Sequence, residues 1–517
     1  MALQPWAAFL SVVVSTVLFL ITVCRRGHGA RRYNLPPGPR QWPVIGNLNL
    51  IGRLPHRSIR NLSSQYGPLM TLRFGSFPVV VGSSVHAAKF FLKTHDLAFL
   101  DRPMMASGRY TFYNSSDMLW APYGSYWRQA RRLWQVKLLS TRRIKEMRHV
   151  REEELRVMLC NLSMASSDGR VVNLRDCLLM LSLSVMSRMV LGKKYVVEGP
   201  GGSSPTTPEE FRWMVEELIF LNTALNIRDM IPWLDWLDLQ GYVKRMKQLH
   251  AMFDKFLDHV VDEHDKRRRR EGDNFVAADM VDHLLQLADG PNLEVPIDRN
   301  GVKGFTLDLV AAGMDTTAIT IEWAMSELLR KPDALARATE ELDSIVGRER
   351  LVTEEDIPNL SYLEAVVKEA MRLHPFAPLL APRMAREDTS LNGYDIPSGT
   401  RVFVNVWAIA RDTSLWGHTA DEFRPERFLG SSVDVKGNNF QLLPFGSGRR
   451  MCPGINLGLK MVQVTLANLL HAFAWRLPNG LTTEGLSMEE CSGISIPRKV
   501  QLEVVPRAKL PDRLLYD

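Results

Sequence analysis

Phe445-Gly446-Ser447-Gly448-Arg449-Arg450-Met451-Cys452-Pro453-Gly454 decides how the rest of this sequence reads. A cysteine flanked by glycines, with an arginine two residues before it and a phenylalanine seven before, has what a thiolate ligand to haem iron needs. The glycines let backbone approach closely, and backbone N–H groups in such a loop can point at the sulfur and tune its electron donation. Phe445 can shield the sulfur, and Arg450 can pair with a haem propionate. A buried structural cysteine in a Gly-rich turn is the plainer reading of most lone cysteines. Here five positions agree, each at a chance of about one in twenty, so coincidence is remote. A structural zinc site fails, because Cys452 has no second Cys or His at zinc spacing.

Upstream, residues 309–323 show helical spacing interrupted by Gly313 and by the polar Asp315-Thr316-Thr317. A mid-helix hydroxyl beside a glycine can open the i→i−4 ladder into a groove, although the same trio also reads as a helix cap. Glu369 and Arg372 stand at i,i+3 and can pair on one helix face. The same spacing recurs at Glu153/Arg156, Glu209/Arg212 and Glu327/Arg330, which read as solvated helix pairs. Trp127 and Arg131 sit one turn apart, where an isolated pair reads as a packed indole with a snorkelling arginine.

Together these pieces resemble a cytochrome P450, matching its FxxGxRxCxG signature position for position from Phe445 to Gly454. The order of features resembles plant A-type microsomal P450s: a Pro-rich hinge, Trp127-x-x-x-Arg131, residues 312–317, Glu369-x-x-Arg372 and Pro425-Glu426-Arg427-Phe428. The resemblance implies a mainly α fold with small β-sheets, the two-lobed single-domain P450 fold, behind an N-terminal transmembrane helix. It implies haem b held by the Cys452 thiolate, with Trp127, Arg131, Arg383 and Arg450 at the propionates and Phe445 beside the sulfur. Asp315 and Thr316 match the catalytic acid and alcohol that deliver protons to dioxygen. Glu369, Arg372 and Arg427 match a buried structural triad that keeps the haem in place.

The implied activity is a monooxygenase fed by NADPH through NADPH–cytochrome P450 reductase. Between Arg128 and Arg151 basic residues crowd the chain (Arg128, Arg131, Arg132, Lys137, Arg142, Arg143 and others), a run that borders the reductase side in the family and would steer an acidic flavoprotein. The run at 266–270 reads instead as a solvated helix end or a contact with anionic lipid. By the same resemblance the substrate pocket is lined from residues 104–122, 220–221, 377–380 and near Ala312 and Ile494, largely apolar surface suited to a hydrophobic small molecule. In overall run the chain resembles a subfamily that includes enzymes cleaving acyclic terpenoid tertiary alcohols to homoterpenes, while flavonoid hydroxylases share most of these blocks. A P450 that rearranges hydroperoxides needs no acid–alcohol pair. A non-catalytic membrane haem protein needs neither an apolar cavity nor a proton relay.

The 517 residues are 45% hydrophobic and 23% charged, the make-up of a large globular protein. Arg25, Arg26, Arg31, Arg32 and Arg40 stand in a first forty residues without an acid and supply most of the net +7, so the basic balance does not indicate nucleic-acid binding. Residues 6–24 carry no charge, about the length a helix needs to cross a bilayer, and the arginines that follow mark the cytosolic side. The expected organisation is a membrane anchor over residues 1–24, a basic cluster and Pro-rich hinge over 25–40, and a catalytic domain over 41–517. That places a single-pass protein in the endoplasmic reticulum membrane with its catalytic domain in the cytosol. Five dispersed cysteines without a CxxC pair read as free thiols in a reducing compartment, and the sequons at Asn61, Asn114, Asn161 and Asn359 as chance matches.

Overall fold

The computed structural model describes residues 10–16, 33–195, 205–291, 293–478, 480–491, 493, 495–511 and 513–516. Of the predicted anchor only residues 10–16 fall within these, as helix, and the remainder lies outside the described residues together with most of the 199–208 loop and Ile494. Among the described residues no helix is long and apolar enough to cross a membrane.

The apolar and β-branched residues of 69–82 form a hairpin, β1 (Leu69–Phe74) against β2 (Phe77–Gly82). Its apolar residues alternate with little regard to face because the sheet is covered: Met70, Leu72, Val79 and Val81 are all buried. Two strands from far along the chain complete the sheet, β3 (Arg383–Met384) and β4 (Arg401–Val404), in the order β1-β2-β4-β3, with β2 and β4 parallel. Between them Asn392 and Gly393 make a turn, both at positive φ (54° and 80°), which asparagine and glycine tolerate best.

Helices make up most of the rest. α1 (Ser125–Leu133), α2 (Arg148–Ser167), α3 (Leu174–Leu191), α4 (Pro208–Thr223) and α5 (Tyr242–Glu271) surround α6 (Arg299–Arg330), and α7 (Ser361–Leu373) and α8 (Ile455–Ala472) pack behind it. α6 is buried on nearly every side, which is why its polar face cannot be read as a surface stripe. The exception is at 311–313 and 316, where Ala312 is exposed in the middle of an otherwise buried helix because it faces a cavity. The helix is unbroken there, so the predicted groove is a cavity beside a continuous helix. Gly313 serves packing: a Cβ would meet the Met186 sulfur of α3 at 2.5 Å.

The secondary i,i+3 pairs do not form as read. Glu153 bonds Arg188 at 2.6 Å, Arg212 bonds Glu216 and Asp176, and Glu327 is buried with its carboxylate on His374 Nε2 at 2.7 Å. Spacing along one helix puts partners in reach, but other partners take them instead, Glu216 on the same helix and Arg188, Asp176 and His374 on other elements. The 266–270 run closes α5, where Arg267 pairs with Asp282 and Arg268 with Asp289.

Candidate functional site

The cysteine loop enters the molecule between the sheet and α8. Gly446 and Gly448 hold φ of 70° and 72°, and a Cβ on Gly448 would lie 1.9 Å from the Leu92 carbonyl oxygen, so only glycine closes this turn. The turn is secured by Cys452 N–H donating to Phe445 O at 3.0 Å and by Arg449 on Asp96 at 2.5 Å. Cys452 then faces a cavity of about 360 Å³ bordered by Phe445, Ala312, Thr316, Leu309 and Leu380. Burial pushes the thiol pKa up, while the Gly454 N–H and the Arg131 charge act to hold it down, the setting of a sulfur made to share its negative charge.

Four arginines border the same cavity: Arg102, Arg131, Arg383 and Arg450. Among the described residues none is within ion-pair distance of a carboxylate. Their hydrogen bonds run to carbonyls instead, Arg450 to Leu100, Met118 and Ala121, and Arg102 to Leu119, Ala381 and Pro382. Burial draws the Arg383 pKa down to about 10 and the Arg450 pKa to about 9, Arg450 further through repulsion by Arg383. Partly or wholly buried cations that repel each other, with no carboxylate in ion-pair reach, suit an anion, and the two propionates of a haem beside Cys452 supply it. The residues present therefore fit the group. Arg102 was missed in the sequence because no local pattern marks it. Trp127 is where expected, but its indole N–H donates to Met118 O at 3.1 Å, so in this structure it props the cavity wall.

On α6, Thr316 borders the cavity and donates from Oγ1 to Ala312 O at 3.0 Å. Asp315 points the other way, into a buried pair with Arg175 of α3 at 2.6 Å, and Arg175 also reaches Glu322 at 2.9 Å. Burial raises the Asp315 pKa and the Arg175 charge opposes the rise. Arg175 is a second residue that sequence reading did not find. Behind the loop, Glu369 takes Arg372 at 2.7 and 2.8 Å and Arg427 at 2.9 Å, while Arg372 Nη1 bonds the carbonyls of Ala410 and Ala420. The predicted triad is thus formed, with Glu369 and Arg372 wholly buried.

Two expectations are corrected. Phe220 is 43% exposed and stacks edge-on against Tyr242, outside the cavity wall. The basic run of 128–151 is not one free face: Arg151 is buried on Glu354, Arg131 faces the cavity, and Arg142, Arg143 and Arg148 are paired with glutamates. Arg128, Arg132, Lys137, Arg142 and Lys145 remain exposed.

The profile of the family "Cytochrome P450" matches residues 36–504. The chain belongs to the cytochrome P450 family. It is 47% identical to a trimethyltridecatetraene synthase of Zea mays, over 98% of this chain and 94% of that protein. It is 45% identical to a dimethylnonatriene synthase of the same plant (98% and 97% covered) and 43% identical to a flavonoid 3'-monooxygenase of Petunia hybrida (97% and 98%). A zebrafish cytochrome P450 solved with progesterone superposes with a TM-score of 0.73 at 27% identity, covering 88% of this chain and 99% of that one. The mainly helical P450 fold is therefore present, and the resemblance to plant enzymes that include homoterpene producers holds. This P450 is a monooxygenase whose cofactor is haem b with a cysteine thiolate.

Proposed function

We propose that Cys452 is the axial ligand, that Arg102, Arg131, Arg383 and Arg450 hold the propionates, and that the substrate is an acyclic terpenoid tertiary alcohol of the nerolidol or geranyllinalool type, cleaved oxidatively to a homoterpene. The observation that carries the assignment of the ligand is the half-buried Cys452 facing a cavity rimmed by arginines without ion-pair partners among the described residues. The substrate reading is supported by likeness over nearly the whole chain to two maize enzymes named as trimethyltridecatetraene and dimethylnonatriene synthases. Haem b supplies the activation of dioxygen. The chain's own residues do the rest. Leu309, Ala312 and Leu380 offer apolar surface that orients a hydrocarbon and excludes water. Thr316 holds a hydroxyl at the cavity edge, from which a proton passes inward, and Asp315, the residue before it, resupplies it from the protein side. Phe445 covers one side of the sulfur and keeps water from it.

Hydroxylation of a flavonoid is the second reading, favoured by the 43% identity to the Petunia enzyme. The exposed Arg128, Arg132, Lys137, Arg142 and Lys145 form the surface offered to an acidic NADPH–cytochrome P450 reductase, in a protein anchored by residues 6–24 to the endoplasmic reticulum. The deciding experiment offers nerolidol and a flavanone side by side to microsomes holding this protein, a plant reductase and NADPH. A shortened hydrocarbon from nerolidol supports the terpenoid reading. A hydroxylated flavanone alone replaces it with the phenolic one.

A further inference from the structure

The cavity wall contains one segment whose shape is imposed from outside. Residues 113–115 all hold positive φ (48°, 57° and 63°), although none is glycine. L-residues leave such a conformation unless neighbours hold them in it. Ser116 O is held by the Tyr126 hydroxyl at 2.9 Å and approaches α6 closely enough that a Cβ on Gly304 would stand 3.1 Å away. Beyond it, the carbonyls of Met118, Leu119 and Ala121 all point to the arginine side, accepting from Trp127, Arg102 and Arg450. The N–H groups point the opposite way. Met118 N–H donates at 2.6 Å to Asp308 of α6, four residues before Ala312, and Asp308, Met118 and Leu119 all border the cavity.

We propose that Asp308 is a positioning residue of this P450: its carboxyl group pins the Met118–Leu119 backbone to α6 and thereby sets the shape of the cavity's distal wall and the size of substrate it admits. The arrangement goes beyond the site already described, because Asp308 belongs to neither the arginine cradle nor the relay.

Burial makes the pin itself sensitive to proton content, and a second buried acid stands beside it. Asp117 is wholly buried, accepts from Trp120 N–H at 3.1 Å through one oxygen, and has no partner on the other. Burial pushes the Asp308 pKa up to about 7, and burial together with the Asp308 charge raises that of Asp117. The other groups facing the pair are Tyr126 of α1, Arg102 and Arg450. Below neutral pH a protonated Asp308 accepts the Met118 N–H only weakly. As pH rises past about 7 the carboxylate forms, the Met118 and Leu119 N–H bonds that favour it strengthen, and the segment is held more tightly.

The test uses the full-length haem-loaded protein and two azoles read by spectral titration, imidazole as a small probe and clotrimazole as a large apolar one. Asp308→Ala is expected to weaken clotrimazole relative to imidazole by about tenfold, the scale of a misfitted apolar pocket. Its reduced carbon-monoxide spectrum stays that of a thiolate-ligated haem. Asp308→Asn keeps an acceptor oxygen and restores the ratio to within about threefold. In the parent, clotrimazole affinity rises relative to that of Asp308→Asn between about pH 6 and pH 9, the azole's own titration cancelling in the ratio. An unchanged ratio in Asp308→Ala, or an Asp308→Asn variant as impaired as Asp308→Ala, overturns the proposal. Should Asp308→Ala not take up haem, the pH comparison decides: a parent profile that parallels Asp308→Asn overturns it. Neither azole is a substrate, so failure here leaves the terpenoid reading standing.

Discussion

Arg175 of α3 donates to Asp315 of α6 at 2.6 Å, with the two side chains only 9% and 10% exposed. The acid assigned to proton supply is therefore tied to a cation on the far side of its helix from the cavity. The Arg175 charge opposes the burial that raises the Asp315 pKa, and it gives the buried Glu322 a counter-charge.

Replacing Arg175 by Met leaves the buried Asp315 without its cation and Glu322 with only the Leu502 N–H at 2.9 Å. The expected loss of stability is about 3–5 kcal/mol, read as a drop in the denaturation midpoint. Without the opposing cation, burial acts alone on Asp315 and its pKa rises further. The acid limb of product formed per NADPH should accordingly move to higher pH, and Arg175→Lys should move it less.

Thr316→Ala removes the hydroxyl at the cavity edge without disturbing a continuous helix. Product per NADPH should fall by at least about tenfold while NADPH oxidation continues. Intact coupling in this variant would show that the relay runs elsewhere.

Glu369→Gln tests the triad. The carboxylate takes both arginines and the Arg424 N–H, and its neutralisation leaves Arg372 fully buried without a counter-charge. A destabilisation of about 3–5 kcal/mol is expected, with haem content of the purified protein falling in step. Retained haem with normal melting would reduce the triad to a packing detail.

Glu490 ties the C-terminal segment to the N-terminal part of the domain, bonding His56, Arg57 and Trp407. Burial opposes its ionisation, but the His56 and Arg57 bonds and charges prevail and take its pKa down to about 2. A carboxyl depressed in the fold stabilises above its unfolded pKa and loses that contribution as pH falls toward the folded value. Glu490→Gln should cost on the order of 3 kcal/mol from about pH 5 upward, with the gap to the parent narrowing below about pH 4.5 in urea titrations. A gap that grows on acidification would contradict this assignment.

Sequence and structure agree best where function is local in the chain. The cysteine loop, the Asn392-Gly393 turn and the Glu369/Arg372 pair each have their decisive residues within ten positions, so geometry follows from spacing. Arg102 and Arg175 act on residues from distant elements, and nothing beside them in sequence announces it. Glu327 shows the converse failure: its i,i+3 partner was visible, but the burial that sends it to His374 was not.

The parallel union of β2 with β4 joins Val79 to Arg401. A ribosome adding about 5–20 residues per second needs roughly a quarter of a minute to a full minute to make the chain between them. Throughout that interval Val79, Val80 and Val81 offer an uncapped apolar edge to anything nearby. Yield on expression should therefore depend on slow, cool synthesis and on chaperones that shield nascent strands, before haem supply becomes limiting.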